Sequence, residues 1–561
     1  MSNKKNNVIL EEYENEFSYK KSKTNLNIEF NRIAFIFFVF LVISIIYSIQ
    51  LLHLGSLKMQ SDTKLLITKK NYRADIIDRN GNYLVKTVSS IDVGISPVEV
   101  IDKKKLLINL KWMFPNKDYK TIEKKLNKNK FFKFEKTISS INYERIMLLG
   151  DKAIRAEEKL TRIYPQKNLF SHIIGQIDDD NNGISGLEKS FDEKLKQIKE
   201  PLRLTVDVDI QFLIREELLR YQNIFEAKGS AAILMNVNNG EILSMVSLPD
   251  FNLNKRETIK DVNYINRVTK GTYELGSVFK TFTVASGINE GLIEPYTEFL
   301  DSKKSISCGK NHKIEEYNNK MPSDLTVEQI LIKSGNVGSV RIVRKIGIEK
   351  HKSFLKTIGV LDKIDFDIEE VGRPIPIDWH EGCKIETIAF GHGITTTMLQ
   401  LAKGYAIIAN GGYDIKPTLI KKNLNKKSER KKVLKNDVSK KMNTILRKVV
   451  SEGTAKLVNV EGYQVGGKTG TAEQVVNSKY SNTKINTLAS IFPTENPKYV
   501  LVVMLESTKN NKEYIYEYRD GSGFRLKGSP RNTAGWTSVE AAGKIIDKIG
   551  PILATKYIEI N

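Results

Sequence analysis

The sequence predicts an α+β protein held to a membrane by one N-terminal helix, with a mixed α/β pedestal followed by an antiparallel sheet packed around a helical lobe. Three observations predict this. One long apolar run lies near the N-terminus, at 33–54. Apolar strand-like segments come at 231–247 and again after 463, on either side of a stretch with helical patterning. The chain has 561 residues, too many for one core and enough for several units.

The run "IAFIFFVFLVISIIYSIQLLHL" (33–54) carries no acid, Lys or Arg. A helix needs roughly 20 apolar residues to cross a hydrocarbon core. The preceding segment is long and no small-x-small site follows, so a retained transmembrane helix is expected rather than a cleaved leader. The tail 1–32 carries Lys4, Lys5, Lys20, Lys21, Lys23 and Arg32, and the far side also begins basic, with Lys58, Lys64, Lys69, Lys70 and Arg73. Local charge therefore orients the helix only weakly. A short tail before it and the bulk of the chain after it favour tail in, bulk out.

The pedestal is expected over 55–200. "RADIIDRNGNYLV" (73–85) reads as strand, turn, strand, with Asn80-Gly81 as the turn. The Lys-rich stretch 103–160 patterns as helix. A turn-rich segment follows, and a helix is expected to begin near Ser185. Residues 197–203 read as a boundary, and 201–561 as the main domain. Within it, "AAILMNVNNGEILSMVS" (231–247) is a hairpin turning at Asn239-Gly240. From 265 to about 450 the pattern is mostly helical. Strands return with "YQVGGKTGTAEQV" and with "LASIFPTENPKYVLVVMLES", a hairpin across Pro493–Pro497, and "TSVEAAGKIIDKIG" closes the chain as a helix. A sheet built from both ends of this segment around a helical lobe follows.

Apolar content of 40% and charged content of 27% are those of a globular protein. The net charge is +22, and the pI is about 9.4. The lysines are dispersed, without interleaved aromatics or a nucleic-acid motif, so no nucleic-acid partner is expected. Two cysteines, Cys308 and Cys383, give neither a disulfide framework nor a zinc spacing. One bridge between them is compatible with an exported domain, and the sequence leaves that open.

The stretch "YELGSVFKTF" (273–282) holds Ser277 and Lys280. That spacing alone says little, because Ser18/Lys21, Ser61/Lys64, Ser353/Lys356, Ser428/Lys431 and Ser481/Lys484 share it. Context selects Ser277. Gly276 precedes it and a helical pattern follows, so Ser277 and Lys280 share one face of a first helical turn. Burial among Val278, Phe279 and Phe282 would lower the lysine pKa, as a lysine base requires. Two further pieces follow in order. "KSGNVGS" supplies Ser334 and Asn336, a hydroxyl and an amide suited to proton relay and to orienting a substrate amide. "VGGKTGTAE" supplies Lys468, Thr469, Gly470 and Thr471 in an expected strand. Lys468 offers charge, Thr469 a hydroxyl and Gly470 room along the strand edge. The N–H of Thr471 could pair with that of Ser277 as an oxyanion hole. Ser-x-Asn also occurs at Ser140–Asn142, but Lys-Thr-Gly occurs once.

Ser-x-x-Lys, Ser-x-Asn and Lys-Thr-Gly in this order are the signature of penicillin-binding proteins and class A β-lactamases. From about Arg73 to its end the chain resembles class B penicillin-binding proteins. The resemblance includes "DRNG" (78–81), "YP" (164–165), "GISGLEKSFDEKL" (183–195), "NR" (266–267), "GHGITTTMLQLAKGYAIIANGG" (391–412), "SEGTA" (451–455), "GGKTGTAE" (466–473) and "PTENPKYVLVV" (493–503). The short tail, single anchor and moderate pedestal look most like the septal, division-specific type, with the elongation type as the near alternative. Leu275 stands where the family usually has Pro, and Gly335 where a second Ser is common.

The resemblance implies a dimerisation-type pedestal, a transpeptidase domain and acyl transfer on D-Ala–D-Ala stem peptides. Ser277 would be the nucleophile and Lys280 its base. Ser334 would pass a proton to the leaving amine, and Asn336 would hold the substrate amide and position Lys280. Lys468, Thr469 and Thr471 would bind the terminal carboxylate. β-Lactams would trap Ser277, and no metal or cofactor is expected. The expected place is the bacterial inner membrane, with the catalytic domain on the outer, periplasmic side. No glycosyltransferase segment precedes the pedestal, so glycan polymerisation is expected from a membrane-embedded partner, alongside other division proteins. His392, between two glycines, is expected on the rim of the site. Asp178–Asp180 reads as a solvated turn, and the resemblance pairs Arg162 with Glu188. A β-lactamase and a catalytically dead division scaffold are the competing readings. The anchor and the pedestal argue against the first, and the intact triple motif argues against the second.

Overall fold

The computed structural model describes residues 23–56, 72–255, 261–308, 312–318, 320–379, 382–422, 430–476 and 479–557. The tail lysines Lys4, Lys5, Lys20 and Lys21, and Lys58 to Lys70 beyond the helix, lie outside these residues. Helix α1 (Lys23–Ser56) belongs to a unit of its own. Its segment Arg32–His53 has a mean hydropathy of 2.6 and is long and apolar enough to cross a membrane. Large apolar side chains stand exposed all round it, from Ile33 to Leu52, the pattern of a helix whose solvent is lipid.

Residues Tyr72–Asn561 form the second unit. It opens with β1 (Ile76–Ile77) and β2 (Tyr83–Ile95), antiparallel across the expected Asn80-Gly81 turn. Asp78 ties that turn by accepting the N–H groups of Asn80 and Asn82. Then come α2 (Lys103–Met113) and α3 (Tyr119–Asn127), capped by Asp102 and Asp118, whose carboxylates take up the first free N–H groups. Two strands lie where helix was expected. β3 (Phe132–Ile138) and β4 (Ile154–Ile163) flank β2 on its two sides, with the short helix α4 (Ser140–Met147) between them. These elements enclose a small core of Val93, Ile95, Leu106, Leu110, Phe134 and Ile146.

The expected boundary at 197–203 holds a two-residue strand, β5 (Leu202–Arg203), which pairs in parallel with β1. One hydrophobic core passes through this point. It contains Ile76, Leu84 and Leu187 from before it, and Ile233, Val502 and Ile545 from after it.

The central sheet combines both ends of the following segment, as the sequence suggests. Its order is β10 (Gly466–Val476), β11 (Lys479–Phe492), β12 (Tyr499–Glu506), β6 (Gly229–Asn236) and β7 (Ile242–Leu248), all antiparallel. β6, β7 and β12 are buried at nearly every position. Helices cover both faces, so the strands read as unbroken apolar runs instead of alternating. α5 (Val208–Ile224) and α11 (Ser538–Lys556) pack together on the sheet, and α9 (Met398–Ala409) packs on β6, β11 and β12. The helical lobe is built on α6 (Lys280–Asn289), buried along almost its whole length, with α7 (Val327–Lys333), α8 (Asn336–Ile346) and α10 (Asn436–Ser451) around it. A small hairpin, β8 (Ser305–Cys308) and β9 (His312–Glu315), stands beside α8. A disulfide between Cys308 and Cys383 ties it to the helix Gly382–Ile388, which answers the question the sequence left open.

Candidate active site

Edge strand β10 leaves one side of the sheet free, and the turn that starts α6 packs there. Gly276 has a left-handed φ of +64°, and a Cβ on it would stand 2.8 Å from the Thr471 carbonyl oxygen. Gly391 (φ +82°) covers it from the other side, where a Cβ would meet the Gly276 carbonyl at 2.0 Å. The turn Gly276–Phe279 is 3-10 and runs into α6 at Lys280. It is pinned from below by Tyr405 of α9, whose hydroxyl donates to the Val278 carbonyl at 2.8 Å. Ser277 is thereby held at a cleft while its neighbours are buried. Gly470 also packs against this turn. Its missing Cβ makes room for Leu275, whose carbonyl oxygen would lie 2.1 Å away, and so seats the turn on the strand.

Lys280 is fully buried. Its ammonium donates to the Ser334 carbonyl at 2.6 Å and to Asn336 Oδ1 at 2.7 Å, with Ser334 Oγ at 3.3 Å. Among the described residues it has no hydrogen bond to Ser277, the partner expected from spacing; contacts of this kind commonly tighten only when substrate is bound. Ser334 ends α7 with a left-handed φ of 59°, unusual for a residue with a side chain. In that conformation both its carbonyl and its hydroxyl meet Lys280. Lys468 is equally buried, and its Nζ lies 2.9 Å from Ser334 Oγ. Two amines therefore share one hydroxyl.

Burial holds the Lys280 amine down to about 7, offset in part by the negative charge of Glu316. Burial, and then the Lys280 charge, hold Lys468 well below the usual lysine range. With its amine held near neutrality, Lys280 can be neutral and so able to accept a proton.

The cleft above has a volume of about 750 Å³. Ser277, Ser334, Asn336, Thr469 and Thr471 line it, and Lys280 and Lys468 lie beneath its floor. Lys468, expected to meet a substrate carboxylate, lies against Ser334 and Thr469, whose carbonyl it reaches at 3.1 Å. The Thr469 hydroxyl bonds Thr454 at 2.7 Å, and the Thr471 hydroxyl bonds Asn486 and the Ala534 N–H. His392 stands on the rim, 3.5 Å from Glu274 and stacked on Tyr480. Asp178 is engaged with its own turn, accepting from Asp180 and Asn182. Ser140, of the second Ser-x-Asn, sits exposed on α4 in the pedestal. Sequence reasoning missed Glu316, whose carboxylate bonds the Asn336 and Val337 N–H groups, and it missed Arg531 and Tyr317 in the cleft wall. None of these has a spacing that marks it.

The profile of the "Penicillin binding protein transpeptidase domain" matches residues 230–520, more than half of the chain. The chain belongs to that family. The "Penicillin-binding Protein dimerisation domain" matches residues 68–217. The chain is 28% identical over 500 residues to the probable peptidoglycan D,D-transpeptidase FtsI of Caulobacter vibrioides, covering 86% of this chain and 82% of the relative. It is 29% identical over 496 residues to the stage V sporulation protein D of Bacillus subtilis, covering 79% and 75%. Its fold matches penicillin binding protein 3 of Mycobacterium tuberculosis, crystallised with aztreonam, with a TM-score of 0.65 at 21% identity over 86% of this chain and 97% of that one. In this family of serine transpeptidases, the Ser277 cleft is the site where the three sequence motifs of this chain converge.

Proposed function

We propose that this chain is a septal peptidoglycan D,D-transpeptidase that works through an acyl-enzyme on Ser277. The observation that carries the reading is a serine at the mouth of a cleft, over a buried lysine poised near neutrality and bridged by Ser334 to a second buried lysine. Ser277 Oγ attacks the carbonyl of the D-Ala–D-Ala bond of a donor stem peptide, and its proton passes to the Lys280 amine. The C–N bond breaks, and Ser334 hands a proton to the departing D-Ala amine. Lys280 passes the proton it holds to Ser334, which leaves the amine neutral. The amine of a second stem peptide then attacks the ester and gives up a proton to Lys280 as the new amide forms and the C–O bond to Ser277 breaks. That proton is handed on to Ser277 Oγ. The N–H groups of Ser277 and Thr471 hold the oxyanion. Asn336 orients the donor amide. Thr469 and Thr471, with the charge of Lys468 behind them and Gly470 between, receive the terminal carboxylate. A β-lactam enters as a donor mimic and stays on Ser277.

The division into tail (1–32), anchor (33–54), pedestal (55–200) and transpeptidase domain (201–561) belongs to this reading, as does a catalytic domain on the outer face of the inner membrane. The Cys308–Cys383 disulfide supports that orientation, because such bonds persist in oxidising compartments. A glycan polymerase in the same membrane supplies the strands that are cross-linked.

The test is labelling of the detergent-purified chain with a fluorescent penicillin, followed by intact mass and peptide mapping. One lasting adduct on Ser277, absent in a folded Ser277→Ala variant, is expected. Labelling that survives the substitution removes the assignment. Rapid turnover of the drug would instead make the protein a β-lactamase.

A further inference from the structure

We propose that Glu316 is a positioning residue of the catalytic centre: its carboxylate holds the N-terminus of α8, and with it Asn336, against the Lys280 ammonium. The inference rests on the reading of Lys280 as the base. It starts from an incomplete helix end. α8 begins at Asn336, and its N-cap, Gly335, has no side chain to accept the first free N–H groups. Glu316, from the segment after β9, supplies both acceptors. Its Oε2 takes the Asn336 N–H at 2.8 Å and its Oε1 the Val337 N–H at 2.9 Å. A Cβ on Gly335 would stand 3.4 Å from Oε1, so the carboxylate occupies the space beside the bare cap.

The neighbouring residue completes the grip. The Glu315 carbonyl accepts from Asn336 Nδ2 at 3.0 Å. With its NH₂ turned to the hairpin, Asn336 presents Oδ1 to Lys280 Nζ at 2.7 Å. The hairpin is itself fixed by the Cys308–Cys383 disulfide at the end of β8.

Charge adds a second link. Four elements face the Lys280 amine: the end of α7 and the start of α8 with the neutral groups of Ser334 and Asn336, β10 with the Lys468 amine beyond Ser334, and the post-hairpin segment with Glu316. Tyr405 of α9 is engaged with Thr281 and Val278, and burial keeps it neutral. Tyr317 and Arg531 lie on the cleft side of Glu316. Glu316 is thus the anion of a centre that otherwise holds two amines.

The experiment measures the acylation rate of the full chain by fluorescent penicillin from pH 5 to 9, in wild type, Glu316→Gln, Glu316→Ala and Glu316→Ala/Gly335→Ser. Removing the negative charge makes Lys280 easier to deprotonate. The acidic limb of the profile is therefore expected to move to lower pH by about half a unit or more in both single variants. The plateau is expected to fall about tenfold in Glu316→Ala, as Asn336 loosens. A serine at 335 restores an N-cap hydroxyl but no charge. The double variant should regain most of the plateau while its limb stays displaced. A limb that stays at the wild-type pH in Glu316→Gln overturns the proposal, whatever the plateau does. If wild type itself forms no adduct on Ser277, the function proposed above fails, and that result is distinct from a displaced or undisplaced limb.

Discussion

At the scale of single residues, the site turns on burying an amine that water would keep charged. Lys280 has no exposed surface, and burial brings it from the ordinary lysine value to about 7. A base must be neutral to accept a proton. Below pH 7 the amine is protonated, and acylation should fall about tenfold per unit; above pH 7 the rate should level off. A pH series of penicillin acylation rates checks this, and a profile flat down to pH 5 would remove Lys280 from the role of base. These residues were legible because the chemistry sets short spacings. Ser277 and Lys280 are i and i+3 on one turn, and Lys468–Thr471 is one strand. The decoy Ser353/Lys356 lies on a helix whose Lys356 points to solvent, and Ser481 is bonded to Thr483. Glu316 was not legible, because only the fold brings it to a helix it does not belong to.

At the scale of elements, the glycines seat Ser277. Gly391 sits in the left-handed region against the Gly276 carbonyl, with no space for a methyl group. Gly391→Ala should push the Gly276–Ser277 turn off β10. A loss of about 1–3 kcal/mol of stability and a drop in acylation of at least about tenfold are expected, read by thermal melts and labelling rates. Unchanged labelling would mean that the turn is held by Tyr405 alone. The same scale shows why part of the pedestal was misread. In β4, residues 155–161 are exposed or half-buried and the buried residue after them, Arg162, is charged, so no apolar alternation announces a strand. β4 exists through its backbone pairing with β2. The sheet strands beyond 229 were legible because their apolar runs end in turn residues at Gly240 and Pro493. The Cys308–Cys383 bond was not, since two cysteines 75 residues apart carry no register, whereas the fold brings their Cα atoms to 5.0 Å.

At the scale of the whole molecule, the pedestal and the catalytic region share one core, although the polar stretch before Leu202 reads as a break. What closes the pedestal is an ionic knot. Glu188 is fully buried and accepts Arg162 Nε at 2.9 Å and Arg73 Nε at 2.5 Å, and Asp192 takes a second nitrogen of Arg73 at 2.6 Å. The resemblance pointed to Arg162 with Glu188; Arg73, 115 residues before Glu188, joins them in the fold, where its carbonyl accepts from Thr87 and Arg162. Glu188→Ala would leave two buried guanidinium groups with one partial counter-charge between them. Breaking such a pair from one side costs about 3–5 kcal/mol. Because Leu187 and Ile76 belong to the same core as Val502 and Ile545, the loss should not stay in the pedestal. Calorimetry of the Glu188→Ala chain should show residues 72–561 melting earlier in one transition, with penicillin labelling lost at the same temperature. Two transitions, with labelling retained to the wild-type temperature, would show that the pedestal unfolds alone and that the shared core does not couple the two.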